Sequence, residues 1–264
     1  MHLEDIQSLA KSCSIFDLGV EMFPGMPHVP LHAPYSCSLI REHGDAMFED
    51  GACASVDVFF CSGHTGTHID AICHISKDMH LYNGVDATKV QSKINGFSQY
   101  GIETVAPICR RGVLIDVARH FDKEILEPGR AIGRGDLFKA CASQGIEIKS
   151  GDVVLIRTGH MQIWPNKEFY TQRGGVPGIN LEAAKWLSDQ GIAMVGSDNF
   201  GVEVMPNPSI PVHCHMLVEH GIHLIEILML EELSKTRTYE FLFVCLPLKL
   251  RGGTGSPVRP VAIV

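Results

Sequence analysis

Short runs of β-branched and aliphatic residues recur along this chain and alternate with helical segments in no regular order. Six runs have the length and composition of strands, at residues 56–60, 113–117, 153–157, 192–196, 222–228 and 240–248. Because strands and helices do not repeat as βαβ pairs, neither a Rossmann fold nor a TIM barrel is indicated. The pattern predicts an α/β protein, folded as a single compact domain on a mixed sheet.

Helices are predicted where turn residues bracket a helical pattern. Residues 136–144 end at Gly145, residues 181–190 follow Asn180 and end at Gly191, and residues 212–220 end at Gly221. Asparagine is a good N-cap and glycine a frequent C-terminal stop, so these boundaries are well marked. Before the first strand, several prolines predict an extended or looping N-terminal segment over residues 1–45.

Composition narrows the classes of function. Of the 264 residues, 45% are hydrophobic and 20% are charged, as in an ordinary globular protein. The formal net charge of -8 argues against a nucleic-acid partner. No apolar run approaches the roughly 18 residues of a membrane span, and the acidic N-terminus is unlike a secretory signal. The nine scattered cysteines are typical of reduced thiols in a cytoplasmic protein.

Four chemically active side chains stand close together in the sequence. His64, His68, Asp70 and His74 all have even numbers, so an extended backbone would project them from one face. Gly66 removes a side chain from that face and would leave room for an ion or a substrate. Two imidazoles and a carboxylate are a ligand set for Zn²⁺, Mn²⁺ or Fe²⁺ that leaves coordination positions for water.

The cluster has two interpretations. It is either a polar, hydrogen-bonded loop with incidental histidines or an open catalytic metal site. In the second interpretation, His64, His68 and Asp70 are the compact ligand set, and His74, farther along, moves a proton. We favour the metal site, because unpaired imidazoles and a carboxylate on one face would repel one another or require costly desolvation.

Residues 64–74 resemble the signature of the cyclase family, which contains bacterial kynurenine formamidases and isatin hydrolases. The family pattern is His-x-Gly-Thr-His-x-Asp-x-Pro-x-His, and this chain departs from it at Ile72, which replaces the proline. Residues 101–105, 126–129, 150–157 and 252–260 resemble the isatin hydrolase branch. The resemblance implies a swivelling β/β/α fold and one hydrolase domain over residues 1–264. It also implies the ligand and proton-transfer roles just given.

A second group of histidines and acids surrounds residue 220. Glu226 shares a predicted strand face with apolar neighbours, so its carboxylate needs a metal, a donor or a cation such as arginine. The resemblance matches His213 and Glu226 to the pair that holds a second zinc in kynurenine formamidases, with His215 as the rival histidine. His220 and His223 are interpreted as surface or core residues. The sequence therefore leaves open whether the site binds one metal ion or two.

The resemblance implies further properties. Manganese is the first expectation for the divalent metal, as in isatin hydrolases, and zinc is the alternative. Phe23 and Trp164 are candidate walls for a flat aromatic substrate, and relatives imply a homodimer or a higher homo-oligomer. Asp198 is a candidate support for the site, and the glycine-rich residues 252–256 are interpreted as a turn that lines it.

The expected activity is the opening of a cyclic or aryl amide by a metal-activated water. Isatin, converted to isatinate, is the first expectation for the substrate, and N-formylkynurenine is the second. A protein that binds a metal or an aromatic ligand on the same scaffold without catalysis is the alternative from another class. The sequence leaves the substrate, the pathway and the identity of the metal open.

Overall fold

One mixed sheet organises the structure. The computed structural model describes residues 12–171 and 173–264. The strands are β1 (Ile15–Asp17), β2 (Ser36–Arg41), β3 (Val56–Phe60), β4 (His68–Asp70), β5 (Gln91–Ser92), β6 (Gly96–Phe97), β7 (Ile108–Asp116), β8 (Ala131–Ile132), β9 (Val153–Arg157), β10 (Gly178–Ile179), β11 (Met194–Ser197), β12 (His223–Glu226), β13 (Glu240–Cys245), β14 (Gly255–Pro257) and β15 (Val261–Ile263). Nine of them form the sheet, in the order β1-β15-β13-β7-β9-β11-β12-β4-β14.

Helices are fewer than strands and mostly short. The α-helices are α1 (Ala87–Val90), α2 (Val117–His120), α3 (Arg134–Gln144), α4 (Leu181–Asp189), α5 (Pro211–His213) and α6 (Glu231–Lys235). A π-helical turn follows α5 at Cys214–Glu219, and 3₁₀ turns lie at Tyr82–Gly84, Ile102–Thr104, His160–Ile163 and Lys167–Tyr170. None of the helices in the described ranges is long and apolar enough to span a membrane.

The centre of the sheet is parallel and buried on both faces. Strands β7, β9, β11 and β12 run parallel, and antiparallel strands flank them on both sides. Along β9, Val154 and Ile156 join the core beneath α3 and α4, while Val153 and Leu155 join the core on the other face. This explains why the strand is an uninterrupted apolar run rather than an alternating one. The predicted α/β class with a mixed sheet is confirmed.

The predicted boundaries of α3 and α4 are confirmed to within a few residues. The Asn180 side chain accepts a hydrogen bond from the Ala183 backbone N–H at 3.0 Å and caps α4. Gly145 ends α3 with a left-handed φ of 70°, and Gly191 follows α4 with a φ of 71°. The predicted helix at 212–220 is different. Residues Pro211–His213 are α-helical, and a π-helical turn follows at Cys214–Glu219. The spacing of apolar residues in the sequence does not tell an α-helix from a π-helical turn.

Strand ends were harder to predict than strand centres. The runs at 56–60 and 153–157 match β3 and β9. Strand β7 begins five residues before the predicted 113, because residues 108–112, which include Arg110 and Arg111, still pair with β13. Strand β12 ends at Glu226 rather than at 228, because Ile227 adopts a left-handed φ of 58°.

Strand β3 lies outside the main sheet. It pairs with β2 in an antiparallel hairpin, and all five of its residues are exposed, including Phe59 and Phe60. The preceding segment from 18 to 35 is irregular, as its prolines predict, and its Val20 and Met26 lie against Gly66 beside β4. The homo-oligomer implied by the family resemblance stays a prediction. The exposed apolar side chains of β2 and β3 form a surface that such an assembly could bury.

Candidate metal centre

The centre forms where the parallel part of the sheet gives way to antiparallel strands. Strand β4 lies between β12 and β14, and its register places His68 opposite Glu226. His68 and Asp70 point to one side of β4, while Ile69 between them is fully buried in the core on the other side. The sheet therefore presents two carboxylates and an imidazole together.

The prediction that one extended segment carries all four motif residues is wrong. Only His68–Asp70 is a strand, while His64 lies in the turn before it and His74 in the turn after it. Gly66 does not leave room for an ion. It has a left-handed φ of 62°, and a side chain there would contact Val20 and Met26 of the N-terminal segment. Two turns, rather than strand alternation, bring the four side chains together.

Asp70 is the centre of the cluster. Its Oδ1 atom lies 2.8 Å from His64 Nδ1 and 3.6 Å from His68 Nε2, while its Oδ2 atom lies 4.0 Å from His213 Nε2. Glu226 has the same two-sided arrangement. Its Oε2 atom lies 3.5 Å from His68 Nε2, and its Oε1 atom lies 3.3 Å from His213 Nε2. Each carboxylate thus turns one oxygen towards each side of the cluster.

His74 completes the cluster beside His64. The two ring centroids are 4.0 Å apart, and ligand atoms of His64, Asp70 and His74 all lie within 4.8 Å of one another. Asp70, His213 and Glu226 form a second group that meets the same limit. The apolar environment lowers the pKa of His74 to about 4, against the opposing charge of Asp70, so its imidazole is neutral.

Two of the histidines are oriented by bonds to the nitrogen that faces away from the cluster. His68 Nδ1 lies 2.8 Å from the Gly66 carbonyl oxygen, and His213 Nδ1 lies 2.5 Å from Glu203 Oε1. Such bonds leave Nε2 free for an ion and are typical of metal-binding histidines. Sequence reasoning missed Glu203. Its signal is an acid between two valines, Val202 and Val204, where a carboxylate needs a buried partner.

Asp70 shows that the cluster suits a cation. Both carboxylate oxygens are buried. His64 Nδ1 lies 2.8 Å from Oδ1, but neither oxygen accepts a well-directed hydrogen bond from the described residues. Burial alone would raise the pKa of Asp70, but the contact with His64 and the nearby imidazoles of His64 and His68 outweigh it and hold the pKa well below its usual range. A buried ionised carboxylate without donors is expensive unless positive charge compensates it. A divalent cation between Asp70 and the imidazoles would supply that charge.

His213, rather than His215, faces the centre. Burial would lower the pKa of His213, but Glu203, Glu226 and Asp70 together raise it to about 10, which shows how negative its surroundings are. His215 points away, with Nε2 2.8 Å from Ser188 Oγ and Nδ1 3.0 Å from Glu219 Oε2. Of the two candidate histidines, His213 is therefore the one that lies beside Glu226 at the centre.

The other candidate residues from the sequence lie outside the ligand set of the centre. His223 Nδ1 lies 2.8 Å from the Asp70 backbone oxygen, and His220 is exposed. Asp198 does not support the centre. Its carboxylate accepts bonds from the backbone N–H groups of Thr158 and Gly159 and closes the turn after β9.

The glycine-rich turn lines the centre, as predicted. Thr254 Oγ1 lies 2.9 Å from His64 Nε2, and Gly255 pairs with Asp70 across β14 and β4. Gly255 has no room for a side chain, because a Cβ atom there would lie 2.7 Å from His64 Cε1. The turn thus sets the position of the His64 ring.

A cavity of about 220 Å³ opens onto the ligand groups. The N-terminal segment contributes Val29 and His32 to its wall. Its other wall residues, apart from the six charged or imidazole groups of the cluster, are Ile75, Tyr170, Phe200, Gly201, Met205 and Ile210.

Neither predicted aromatic wall residue is among the described residues that line this cavity. Trp164 packs edge-on against Phe169, with ring centroids 5.1 Å apart, and so supports the wall from behind. Phe23 lies in a turn in which its carbonyl accepts a bond from the Met26 N–H. Tyr170 and Phe200 are the aromatic residues that face the cavity instead.

Residues 16–204 match the model of a family described as putative cyclases. The chain belongs to the cyclase family. The matched range includes His64, His68, Asp70 and His74, whereas His213 and Glu226 lie beyond it. His213 and Glu226 are therefore assigned to the centre by their geometry, through the contacts of Glu226 with His68 and His213.

Named proteins that resemble this chain in sequence or structure are consistent with the family assignment. A kynurenine formamidase from Bacillus cereus is 26% identical over 244 residues, which cover 88% of this chain and 95% of the relative. A crystal structure described as a novel cyclase is 28% identical, with a TM-score of 0.89 over 100% of this chain and 92% of the other. Isatin hydrolase A from Ralstonia solanacearum shares the cyclase fold at 23% identity, with a TM-score of 0.77 over 100% and 98% of the two chains.

Replacing Gly255 by alanine tests the packing of the cyclase centre around His64. The added Cβ would meet His64 Cε1 at 2.7 Å and the Ile69 carbonyl oxygen at 2.9 Å. We expect the free energy of unfolding to fall by about 1–3 kcal/mol, as for other overpacked sites. Denaturant unfolding measures it, with Gly135→Ala as the control because a side chain at Gly135 meets nothing within 4 Å. Equal stabilities for the two variants would contradict the contact.

Proposed function

We propose that this chain is a metal-dependent hydrolase of cyclic or aryl amides. The observation that carries the proposal is the buried Asp70 carboxylate, which is surrounded by imidazoles at the end of a cavity and accepts no well-directed hydrogen bond from the described residues. The relatives support the reaction class, since one is named a kynurenine formamidase and another an isatin hydrolase. Both names describe enzymes that cleave an amide C–N bond.

The donor groups of the centre would suit two ions. His64, His68 and one oxygen each of Asp70 and Glu226 face the first position. His213 and the remaining oxygens of Asp70 and Glu226 face the second, with His213 oriented by Glu203. Because Asp70 and Glu226 turn oxygens to both sides of the cluster, both carboxylates would help to hold an ion at either position. We therefore propose two ions per chain, with zinc or manganese as the metals that suit imidazole and carboxylate ligands.

A divalent cation bound there would lower the pKa of its water from 15.7 towards about 7 and polarise the amide carbonyl. His74 is the group that moves the proton. Its neutral imidazole takes the proton that the attacking water loses, and it returns that proton to the nitrogen as the C–N bond breaks. The apolar wall around Phe200 and Ile210 accommodates the aryl ring and excludes bulk water.

Isatin is the first substrate to test, because several segments outside the motif resemble the isatin hydrolase branch. N-formylkynurenine is the second candidate, and a specific observation favours it. His213 and Glu226 lie in the cluster, which is the arrangement that the family resemblance associates with kynurenine formamidases. Both substrates are aryl amides with a ketone close to the scissile bond, so the same cavity chemistry suits either.

Metal analysis followed by an amide screen tests the proposal. We expect purified protein to contain zinc or manganese, and to hydrolyse isatin or N-formylkynurenine in a way that chelation abolishes and the metal restores. A protein that retains its metal but hydrolyses neither substrate nor related aryl amides would support the non-catalytic binding protein instead. A cytoplasmic location is part of the proposal and is tested by fractionating the source cells.

Two histidine variants separate the ligand role from the proton-transfer role. His68→Ala removes an imidazole that faces both carboxylates, so we expect loss of metal and of turnover together. His74→Ala is expected to retain the metal while kcat falls about 10²–10⁴-fold, the usual contribution of a general acid–base group. Metal content and kcat are measured on the same preparations. A His74→Ala variant that keeps most of its activity would contradict the proton-transfer role.

Glu203→Ala tests whether the second position binds an ion. The substitution removes the carboxylate that orients His213 but leaves the groups around His64 and His68 intact. We expect the affinity for one of two ions to fall about 10–100-fold, as for other residues that orient metal-binding histidines. Calorimetric metal titration measures it, with the solvent-exposed Glu168→Ala as the control. A single ion in the wild type, bound equally well by the variant, would exclude the two-ion centre.

A further inference from the structure

The hydroxyl of a tyrosine that lines the cavity has no hydrogen-bond partner among the described residues. The Oη atom of Tyr170 is inaccessible to solvent, and it has no hydrogen-bond partner in residues 12–171 and 173–264. Tyr170 lines the same cavity as Asp70 and His213. Buried hydroxyl groups are nearly always hydrogen-bonded, so each exception needs an explanation. Asp70 is explained by a cation, but a hydroxyl group does not bind zinc or manganese in preference to the imidazoles and carboxylates present.

The tyrosine ring is held firmly in place. It packs against Phe200, with ring centroids 4.6 Å apart, and against Phe169, with ring centroids 5.2 Å apart. Phe169 is fully buried, and Trp164 supports it from behind. Because the ring is fixed by packing, its hydroxyl has a defined position without any hydrogen bond of its own. A donor prepared in this way costs little further ordering when a ligand binds.

Tyr170 lines two neighbouring pockets. Together with Phe200 and Met205 it lines the inner cavity and also a second pocket of about 500 Å³. A ligand that extends from the metal-ligand groups towards the outer pocket would therefore pass the Tyr170 side chain. Burial, together with the nearby charge of Glu226, raises the pKa of Tyr170, so the hydroxyl keeps its proton and acts as a donor.

We propose that Tyr170 is a specificity-determining residue, whose hydroxyl donates a hydrogen bond to the ketone oxygen of a substrate bearing an acyl group beside its amide. This inference rests on the proposed function. Bound ions would polarise the scissile amide carbonyl, so the Tyr170 hydroxyl is available for a second acceptor. Isatin and N-formylkynurenine both carry such an oxygen, whereas formanilide contains the aryl amide without it. The hydroxyl thereby selects keto-amides over simple aryl amides.

Tyr170→Phe is the decisive variant, because it deletes the hydroxyl and keeps the ring. We expect kcat/KM for the better of isatin and N-formylkynurenine to fall at least about ten-fold, with the change mainly in KM. The kcat/KM for formanilide should change less than about two-fold, since that substrate offers no second acceptor. Tyr100→Phe is the matched control, because the Tyr100 hydroxyl contacts Asn83 and lies outside the cavity.

Stability distinguishes a substrate contact from a structural one. A hydroxyl without a partner contributes nothing to folding, so Tyr170→Phe is expected to be at least as stable to heat as the wild type. A clear fall in melting temperature would mean that the hydroxyl has a structural partner, and it would overturn the proposal. Equal losses of kcat/KM for the keto-amide and for formanilide would also overturn it, because the hydroxyl would then act on the shared amide.

A binding measurement keeps this test independent of the proposed function. Isatinate retains the ketone oxygen, and calorimetry gives its Kd for metal-loaded wild type and Tyr170→Phe. An increase in Kd of at least about ten-fold supports the contact, even if the wild type hydrolyses no amide and the proposed function fails. Unchanged Kd, or no binding of isatinate to the wild type, contradicts the role of Tyr170 while leaving amide hydrolysis to be judged by the screen.

Discussion

The centre depends on a buried carboxylate that accepts no hydrogen bond from a backbone or hydroxyl group of the described residues. Asp70 is almost completely buried, and its two oxygens face different sets of histidines. Hydrogen bonds from backbone or hydroxyl groups would stabilise the carboxylate without a cation. The Thr158 and Gly159 backbone N–H groups do this for Asp198. The contrast between these two buried aspartates shows how the fold distinguishes a structural acid from one available to a metal.

Much of the fold follows from local signals. Strand β9 is recognisable because five apolar residues suit a strand buried on both faces, and α4 because Asn180 and Gly191 bracket it. Other features depend on contacts between distant residues. The three residues of β4 are too few to form a pattern, and the left-handed Ile227 that ends β12 has no local signature. Such features are decided by the completed sheet.

The same distinction applies to the centre. The motif from His64 to His74 is visible in the sequence because its four groups are close along the chain, although turns rather than a strand bring them together. Glu203 and Tyr170 were not predicted. An acid between valines and a tyrosine near other aromatic residues have ordinary explanations, and only the fold shows that one orients His213 while the other faces the cavity.

The pairing of β4 with β12 also links the centre to the assembly of the protein. His68 and Glu226 are cross-strand neighbours, although they come from distant parts of the chain. In an unfolded chain these groups are far apart, so a cation that prefers the assembled set binds the native state and not the denatured one. Metal supply would then govern how much of the protein persists in folded form, in addition to how much of it is competent for chemistry.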